Sequence, residues 1–212
     1  MTKSAPHLQV VSPLPPTGAA GADDQPMRSD DDLMLLARGG MMDAFDELVR
    51  RHQGRVLRVA ARRLARRELA PDVAQNAFLD LYRALPRYQP RGRFEAYLFR
   101  AVVNQCRMAE RAARSEGRLR APLAAAAAEV EAAQVSQPDT SAEARILARE
   151  RERDLERAVA RLSEKLRDVV SLRYAGGLGY EEIAETLGLP VGTVKRRLFD
   201  AVEKLRQILE EP

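Results

Sequence analysis

The chain has 212 residues, enough for one medium or two small domains, and its 45% apolar content supports packed cores. Only 5% of the residues are aromatic, and the abundance of Ala, Arg, Leu and Glu favours helix over strand, so we expect an all-α protein. The net charge of +4 is mild, and the single cysteine, Cys106, excludes an intramolecular disulfide and a cysteine-rich metal site.

The positive charge is concentrated in one part of the chain. Residues 30–117 hold 17 Arg against 12 acidic residues, whereas residues 151–212 hold 12 residues of each sign. This balance suits a polyanionic partner, but a solvated arginine-rich surface would give the same count, so charge alone favours neither interpretation. No stretch approaches the roughly 20 apolar residues of a membrane span, and the first 28 residues lack the order of a signal peptide. We therefore expect a cytoplasmic protein.

The first helix is predicted to begin near Ser29. Residues 1–28 contain five Pro and no apolar period, which indicates a disordered tail. Ser29 can cap a helix, and the three Asp residues that follow it place negative charge at the positive end of that helix. This start opens a first domain, predicted to cover residues 29–117.

Three more helices are predicted in the first domain. An apolar stripe runs through residues 43–68, a second stripe is stopped by Pro86, and a third begins at Phe94 and continues to about Arg114. The arginines between Arg50 and Arg67 lie mostly off the first stripe. They either form a solvated basic face or contact DNA.

A linker, residues 118–149, is predicted to join the first domain to a second one, residues 150–212. The linker contains a run of Ala and no apolar period strong enough to build a core, although a charge-alternating helical pattern resumes at Ser141. In the second domain, Ser163 is suited to a helix N-terminus. The face of the helix after it is predicted to comprise Leu166, Val169, Val170 and Tyr174. The predicted architecture is two small helical domains joined by a flexible linker.

The most informative stretch begins at Tyr180. A short helix, residues 180–187, is closed by Gly188, and a second helix follows Pro190. This layout is that of a helix-turn-helix, whose second helix lies in the major groove of DNA. Side chains at the start of that helix can reach phosphates and guanine edges, so we predict DNA contacts from Thr193, Val194, Lys195, Arg196 and Arg197. The alternative is an ordinary αα-hairpin with a charged exposed face.

The string EEIAETLGLPVGTVKRRL resembles the helix-turn-helix in the last domain of bacterial sigma factors, which binds DNA. The preceding LSEKLRDVVSLRYAGGLGY is similar to the stretch that leads into that motif. Regulators of the LuxR type carry related helix-turn-helices. The sequence of the first domain is therefore needed to decide between sigma factors and LuxR-type regulators.

The first domain also resembles sigma factors, in two segments. DVAQNAFLDLYRAL looks like the segment that docks on the clamp coiled coil of the polymerase β′ subunit, which implies polymerase contacts from Asp72, Gln75, Asn76 and Phe78, although Asn76 replaces the usual acid. GRFEAYLFRAVVNQCRMAERAAR is similar to the segment that reads and opens the −10 promoter element. Tyr97 stands there in place of a common Trp, and Met108 in place of a frequent Asp. The implied −10 contacts are Arg93, Phe94, Tyr97, Arg100, Asn104, Arg107, Arg111 and Arg114.

Counterparts of only the second and fourth conserved sigma domains are present, which resembles the extracytoplasmic-function (ECF) group of the sigma-70 family. The resemblance implies a transcription initiation factor, without catalytic activity or cofactor, that binds core RNA polymerase through the β′ clamp coiled coil and the β flap. It would recognise the −35 and −10 elements of promoter DNA and aid promoter melting. Many members of the group bind an anti-sigma factor, which is implied as a further partner.

Two other functions remain open at this point. A LuxR-like regulator would bind DNA without core polymerase, and a protein-interaction adaptor would present its basic helices to an acidic partner. No metal site is predicted, because neither His52, on an apolar stripe, nor His7 has a second ligand at suitable spacing. No carboxylate stands in an apolar setting that would suggest acid or base catalysis.

Overall fold

The computed structural model describes residues 28–119 and 142–210, which are mainly helical and contain no strand, so the all-α prediction is confirmed. The first domain consists of α1 (Asp30–Arg38), α2 (Met42–Arg63), α3 (Ala70–Ala84) and α4 (Phe94–Leu119). The second domain consists of α5 (Ala142–Ala160), α6 (Glu164–Val170), α7 (Tyr180–Leu187) and α8 (Val191–Glu210). The predicted tail up to residue 27, and residues 120–141 of the predicted linker, lie outside the described residues.

The start of α1 is capped as its sequence predicts. The Ser29 hydroxyl accepts a hydrogen bond from the Asp32 backbone N–H at 3.2 Å, and the Asp32 carboxylate accepts one from the Ser29 N–H at 3.3 Å. Each side chain thus satisfies a donor that the helix itself leaves unpaired. The next residue, Asp30, reaches α2, where it lies 2.8 Å from the ring of His52. Asp30 therefore links the start of α1 to α2.

The second helix is shorter than its sequence predicts. The stripe was extended to residue 68, but α2 ends at Arg63, because Leu64 adopts an extended conformation and buries its side chain. Helix α3 already begins at Ala70, with Pro71 in its first turn, where a missing N–H is tolerated. The apolar faces of α2, α3 and α4 pack together into the core of the first domain.

Both ends of the predicted linker are helical. Helix α4 continues to Leu119, and α5 begins at Ala142, inside the segment assigned to the linker. Ala, Arg and Glu have high helix propensity, so these ends can be helical without an apolar period to mark them. Helical structure therefore continues past the predicted start of the linker at 118 and resumes before its predicted end at 149.

One turn of π-type helix, Ser171–Ala175, follows α6 and changes which residues face the core. Helical spacing predicts Tyr174 on the same face as Val169 and Val170, but 69% of its surface is exposed. A π turn has more residues than an α-helical turn. Tyr174 therefore no longer lies on the side of the helix that buries Val169 and Val170. The helix-turn-helix beyond it has the predicted form, since Gly188 at the end of α7 has a φ of +65°, in the left-handed region.

The two domains pack against each other. Helix α7 lies on α4, and the π turn lies on α2. Buried apolar side chains of both domains belong to one continuous cluster, with Val59 and Val102 on one side and Leu172 and Ile183 on the other. The sequence predicts the two domains but gives no sign of this contact between them.

Candidate nucleic-acid interface

The exposed basic surface at the start of α8 is built on two buried anchors. Val194 is fully buried and Leu198 nearly so, which seats the helix on the second domain. Lys195 and Arg196 are consequently exposed, and Thr193 and Arg197 are partly exposed. Four of the five predicted DNA contacts therefore face outward, whereas Val194 acts by positioning the helix.

Tyr180, the first residue of α7, contacts both Lys195 of α8 and Arg173, a basic residue that is not among the predicted DNA contacts. The Lys195 Nζ atom lies 5.5 Å from the centre of the Tyr180 ring, and the Arg173 guanidinium carbon lies 5.0 Å from it. Such cation–π contacts hold two long side chains beside the aromatic ring. Arg173 thereby extends the basic surface from α8 to the π turn.

The predicted polymerase contacts lie on α3. Asp72, Gln75 and Asn76 are exposed, and their spacing of three and four residues places them on one side of the helix. Phe78 differs, because it is only 6% exposed and belongs to the core of the first domain. In this structure Phe78 supports α3 from beneath the exposed face, and its role as a polymerase contact stays a prediction.

The predicted −10 contacts lie along α4 and just before it. Arg100, Asn104, Arg107, Arg111 and Arg114 recur every three or four residues and follow one side of the helix. Tyr97 is 40% exposed and packs edge-on against Tyr88, with the ring centres 5.8 Å apart.

Phe94 is the exception among these predicted −10 contacts. It is only 4% exposed, and its ring centre lies 5.1 Å from that of His52. The core of the first domain encloses it, which removes it as a surface contact in this structure.

Four of the arginines in this group bind the second domain. Arg93 Nη1 lies 3.0 Å from a carboxylate oxygen of Glu185, and Arg107 donates to Asp168 at 2.7 Å. Arg114 pairs with Glu164. Arg100 donates to the backbone carbonyl oxygens of Glu185 and Thr186, at the end of α7.

A cavity of about 270 Å³ lies beside these contacts and is lined by Arg100, Val103, Asn104, Arg107, Thr186, Leu187 and Gly188.

A buried charge network lies at the centre of the domain contact. Arg63 of α2 has no exposed surface, bonds to Asp168 of α6 and lies 2.9 Å from Glu110 of α4. Arg167 lies 3.3 Å from the same Glu110 carboxylate. Burial by itself would lower the pKa of Arg63, but the two carboxylates outweigh it and the pKa is raised, so the guanidinium stays charged.

Arg63 was missed by the sequence analysis, although its position carried a signal. It lies seven residues after Val56 and four after Val59, on the stripe that faces the core. A charged residue at such a position needs buried partners of opposite charge. The sequence analysis instead grouped Arg63 with the other arginines of α2, most of which lie off the stripe.

Arg55 of α2 makes a second link between the domains. Its guanidinium binds both carboxylate oxygens of Glu95, at the start of α4, and its Nε atom donates to the Gly176 carbonyl at 3.0 Å. The hydrogen bonds from Arg55 lower the pKa of Glu95 despite partial burial. A Cβ atom on Gly176 would lie 2.7 Å from the Leu172 carbonyl oxygen and 3.2 Å from Val59, so this close approach requires glycine.

Other kinds of site find no support among the described residues. No group of three or more His, Cys, Asp and Glu side chains in residues 28–119 and 142–210 is placed to hold a metal ion. No helix within those ranges is long and apolar enough to cross a membrane. Cys106 has no exposed surface, and burial raises the pKa of its thiol to about 12, which makes the thiol unreactive.

Comparison with known proteins finds two family matches and several relatives. The family model described as "Sigma-70 region 2" matches residues 48–116, and the one described as "Sigma-70, region 4" matches residues 152–205. The chain is 31% identical over 186 residues to the ECF RNA polymerase sigma-E factor of Haemophilus influenzae, a match covering 86% of this chain and 96% of that protein.

Two solved structures have a similar fold. CnrH, in complex with the cytosolic domain of CnrY, matches with a TM-score of 0.61 at 25% identity, over 85% of this chain and 97% of that one. The sigma factor RpoE, in complex with the anti-sigma factor NepR from Bartonella quintana, matches with a TM-score of 0.62 at 20% identity, over 79% of this chain and 97% of that one.

The helical architecture and the two matched regions define a transcription initiation factor of the sigma-70 family. Within that family, the chain belongs to the extracytoplasmic-function group: it is a sigma factor that directs RNA polymerase to promoters. The LuxR-like and adaptor functions are not favoured, because neither accounts for the match of the first domain to sigma region 2.

Proposed function

We propose that this sigma factor, acting in the cytoplasm without catalytic activity of its own, divides its contacts among three surfaces. The exposed side of α3 binds the β′ clamp coiled coil of core polymerase, the arginine side of α4 binds the −10 element, and the start of α8 binds the −35 element. The second domain also contacts the β flap. The observation that supports this division best is the position of the three surfaces on three different helices, each seated on a core by buried neighbours.

For the −35 element, α8 enters the major groove with its basic side chains toward the DNA. Arg196 is exposed near the start of the helix, where it can reach a guanine edge or a phosphate. The Thr193 and Val194 N–H groups already donate to the Pro190 carbonyl. The earlier N–H groups of this first turn and the Thr193 hydroxyl can hold a phosphate oxygen. Arg173 and Tyr180 border the same surface and supply a further phosphate contact.

Arg196→Ala tests the −35 assignment. Loss of one base or phosphate contact is expected to weaken promoter binding by the polymerase complex by about 1–3 kcal/mol, measured by filter binding. Arg206→Ala is the matched control, because Arg206 lies on the same helix, is exposed and pairs with Glu203. Equal affinities for both variants would contradict the assignment.

For the −10 element, the arginines of α4 neutralise phosphates while the exposed ring of Tyr97 offers a surface on which an unstacked base can lie. Separating the strands costs free energy that these contacts offset only in part. The polymerase complex must supply the rest. The protein without polymerase is therefore expected to bind duplex promoter DNA poorly.

For core polymerase, the exposed polar side of α3 provides the contact. Gln75→Arg places a bulky cation at the centre of that side and is expected to reduce recovery of the protein with core polymerase in co-purification at least about tenfold. Gln53→Arg is the control, since Gln53 is exposed on α2 and the change in charge is the same. Unchanged recovery of the Gln75 variant would contradict the α3 assignment.

An anti-sigma factor is a further partner under this proposal. It is supported by the fold shared with RpoE, which was solved in complex with the anti-sigma factor NepR. Such a protein would bind between the two domains and keep α3 and α4 from polymerase and DNA.

Run-off transcription tests the proposed function as a whole. Core polymerase is mixed with a pool of promoter fragments, with and without the protein, at moderate salt. Specific transcripts that depend on the protein are the expected result. No transcripts and no association with core polymerase, from folded protein, would contradict the proposed function.

A further inference from the structure

Three consecutive aspartates open α1, and each carboxylate has a different partner. Asp32 closes the cap of its own helix, and Asp30 contacts His52 of α2. Asp31 instead reaches the 88–92 loop, which is the part of the chain between α3 and α4 that covers residues 88–92. Favourable charge at a helix start would apply to all three residues alike, so it does not account for the particular contacts of Asp31.

The two oxygens of the Asp31 carboxylate hold the two ends of the 88–92 loop. One oxygen accepts a hydrogen bond from the Tyr88 hydroxyl, and the other accepts one from the Gly92 N–H at 2.5 Å. Gly92 has a φ of +65°, in the left-handed region, so the chain turns there just before α4 begins. The residues between these two ends are exposed. A single side chain of α1 therefore fixes the path of an exposed loop.

Tyr88 depends on this contact because its hydroxyl is enclosed by the protein. Its side chain is only 7% exposed, and a buried hydroxyl without a hydrogen-bond partner is costly. Burial and the hydrogen bond to Asp31 raise the pKa of Tyr88, so the hydroxyl stays protonated and donates. The Tyr88 carbonyl also accepts a hydrogen bond from Arg38, at the other end of α1, at 3.0 Å. Tyr88 is thus held by both ends of α1, whereas Gly92 is held by Asp31.

The 88–92 loop lies beside the ring that is proposed to meet an unstacked base. Tyr88 packs edge-on against Tyr97 with the ring centres 5.8 Å apart, and this contact leaves 40% of Tyr97 exposed. A binding surface discriminates best when its side chains are held in place before the ligand arrives, since ordering them during binding costs free energy. The position of Tyr97 therefore depends on Tyr88, and that of Tyr88 depends on Asp31.

We propose that Asp31 is a positioning residue for recognition of the −10 element: it fixes the 88–92 loop and, through Tyr88, the ring of Tyr97, and thereby sets the preference for the base that stacks on that ring. This inference rests on the proposed assignment of Tyr97 to the −10 strand. It adds a residue from α1, a helix that carries none of the three proposed surfaces. Because both of its carboxylate oxygens are engaged within the protein, Asp31 acts through its neighbours and does not touch DNA.

Amide hydrogen exchange tests the loop contact in the protein alone. Asp31→Ala removes the acceptor of the Gly92 N–H, so exchange at Gly92, measured by nuclear magnetic resonance, should become about tenfold faster. Asp32→Ala is the matched control, because it removes the same charge from the same turn while the Ser29 hydroxyl still caps the helix. Exchange at Gly92 should stay at the native rate in this control. A native rate in Asp31→Ala as well would overturn the proposal.

The base preference at the −10 element tests the consequence for recognition. Heparin-resistant complexes of core polymerase and each variant are recovered from promoter fragments with a randomised −10 element, and the bound DNA is sequenced. Tyr97→Ala identifies the position that meets the ring. Asp31→Ala should lower the preference at that position about fivefold, the smaller end of what one wrong base pair costs, and leave the other positions unchanged. Asp32→Ala should retain the native preference at every position.

A combined variant tests whether Asp31 acts through Tyr97. Adding Asp31→Ala to Tyr97→Ala should have no further effect on the preference at that position, because the two residues serve the same contact. An unchanged preference in Asp31→Ala, or an equal loss at all positions of the −10 element, would overturn the positioning role.

A second combined variant separates positioning from stability. Asp31→Ala leaves the Tyr88 hydroxyl buried without its partner, whereas Asp31→Ala with Tyr88→Phe removes that hydroxyl as well. The combined variant should unfold at a higher urea concentration than Asp31→Ala and yet keep the lowered base preference. Recovery of the preference together with stability would overturn the proposal. A lack of complexes even with the native protein would contradict the proposed function instead, and the exchange rate at Gly92 is measured independently of it.

Discussion

Arginine side chains on a single helix, α2, occupy very different environments. Arg63 is fully buried between two carboxylates, Arg55 is partly buried and paired with Glu95, and Arg58 is exposed. The face of the helix on which each lies accounts for the difference. A charge on the core side requires partners, whereas a charge on the outer side is solvated.

At the same scale, the Arg55–Glu95 pair should make stability depend on pH. Its carboxyl pKa is lower in the folded chain, so the pair stabilises the protein above the ordinary Glu value of 4.5, and this stabilisation is lost as pH falls through the lowered pKa. Glu95→Gln should reduce the free energy of unfolding at neutral pH by about 1 kcal/mol and weaken its decline in acid. Urea unfolding from about pH 7 to pH 3 measures both effects.

Glu203→Gln is the control for this measurement, because Glu203 forms only an exposed pair on α8. Its neutral-pH stability should stay within about 0.5 kcal/mol of the native value. A Glu95 variant that behaves like this control would show that the pair does not stabilise the fold.

Single-residue roles could be predicted from the sequence where burial follows helical spacing. Val169 and Val170 fall at such positions and are buried, whereas Val194, predicted as a DNA contact, is buried beneath the start of α8. Phe78 and Phe94 were assigned to contacts by resemblance alone, although a large aromatic side chain on an apolar stripe tends to be buried. Arg63 was missed because the arginines between Arg50 and Arg67 were treated as one group lying mostly off the apolar stripe, although Arg63 itself lies on it.

Among the elements, the turn of the helix-turn-helix depends on the backbone of Gly188. Its φ of +65° is strained for any residue with a Cβ atom. Gly188→Ala should therefore lower the free energy of unfolding by about 1 kcal/mol, measured by thermal or urea unfolding.

Gly192 provides a matched comparison because it lies within α8, where an added Cβ atom meets open space. Gly192→Ala should raise the free energy of unfolding by about 0.5 kcal/mol, since alanine loses less backbone freedom in a helix. The same substitution thus has opposite signs at two positions four residues apart. Equal effects would contradict the role given to the left-handed turn.

The existence of the elements was easier to predict than their ends. The bounds of α7 and the turn at Gly188 agree with the sequence prediction, because glycine marks the stop clearly. The end of α2 carries no such marker, and the π turn after α6 leaves no trace in the spacing of apolar residues before it. Local sequence does not specify these features, which depend on packing between helices.

At the scale of the whole molecule, the domain contact depends on Arg63. Arg63→Ala leaves Asp168 and Glu110 buried without their shared cation, which should lower the free energy of unfolding by about 3 kcal/mol. Arg58→Ala, an exposed change on the same helix, should alter it by less than about 0.5 kcal/mol. Urea unfolding followed by circular dichroism compares the two. Similar midpoints would contradict a stabilising role for the buried network.

The domain contact could not be predicted from the sequence, although the two domains could. Arg63 and Asp168 are 105 positions apart, and nothing in either local pattern selects the other as a partner. Composition and periodicity report on single helices, whereas pairing between domains depends on the shapes of both surfaces.

Arg55 and Arg100 bind the second domain through main-chain oxygens of Gly176, Glu185 and Thr186. Every amino acid supplies a carbonyl, so mutations of the side chains at positions 185 and 186 leave the acceptors for Arg100 in place. Position 176 is constrained more strictly, because any side chain there would collide with its neighbours. Substitutions at positions 185 and 186 can therefore accumulate over evolution without loss of the hydrogen bonds that Arg100 donates to this turn.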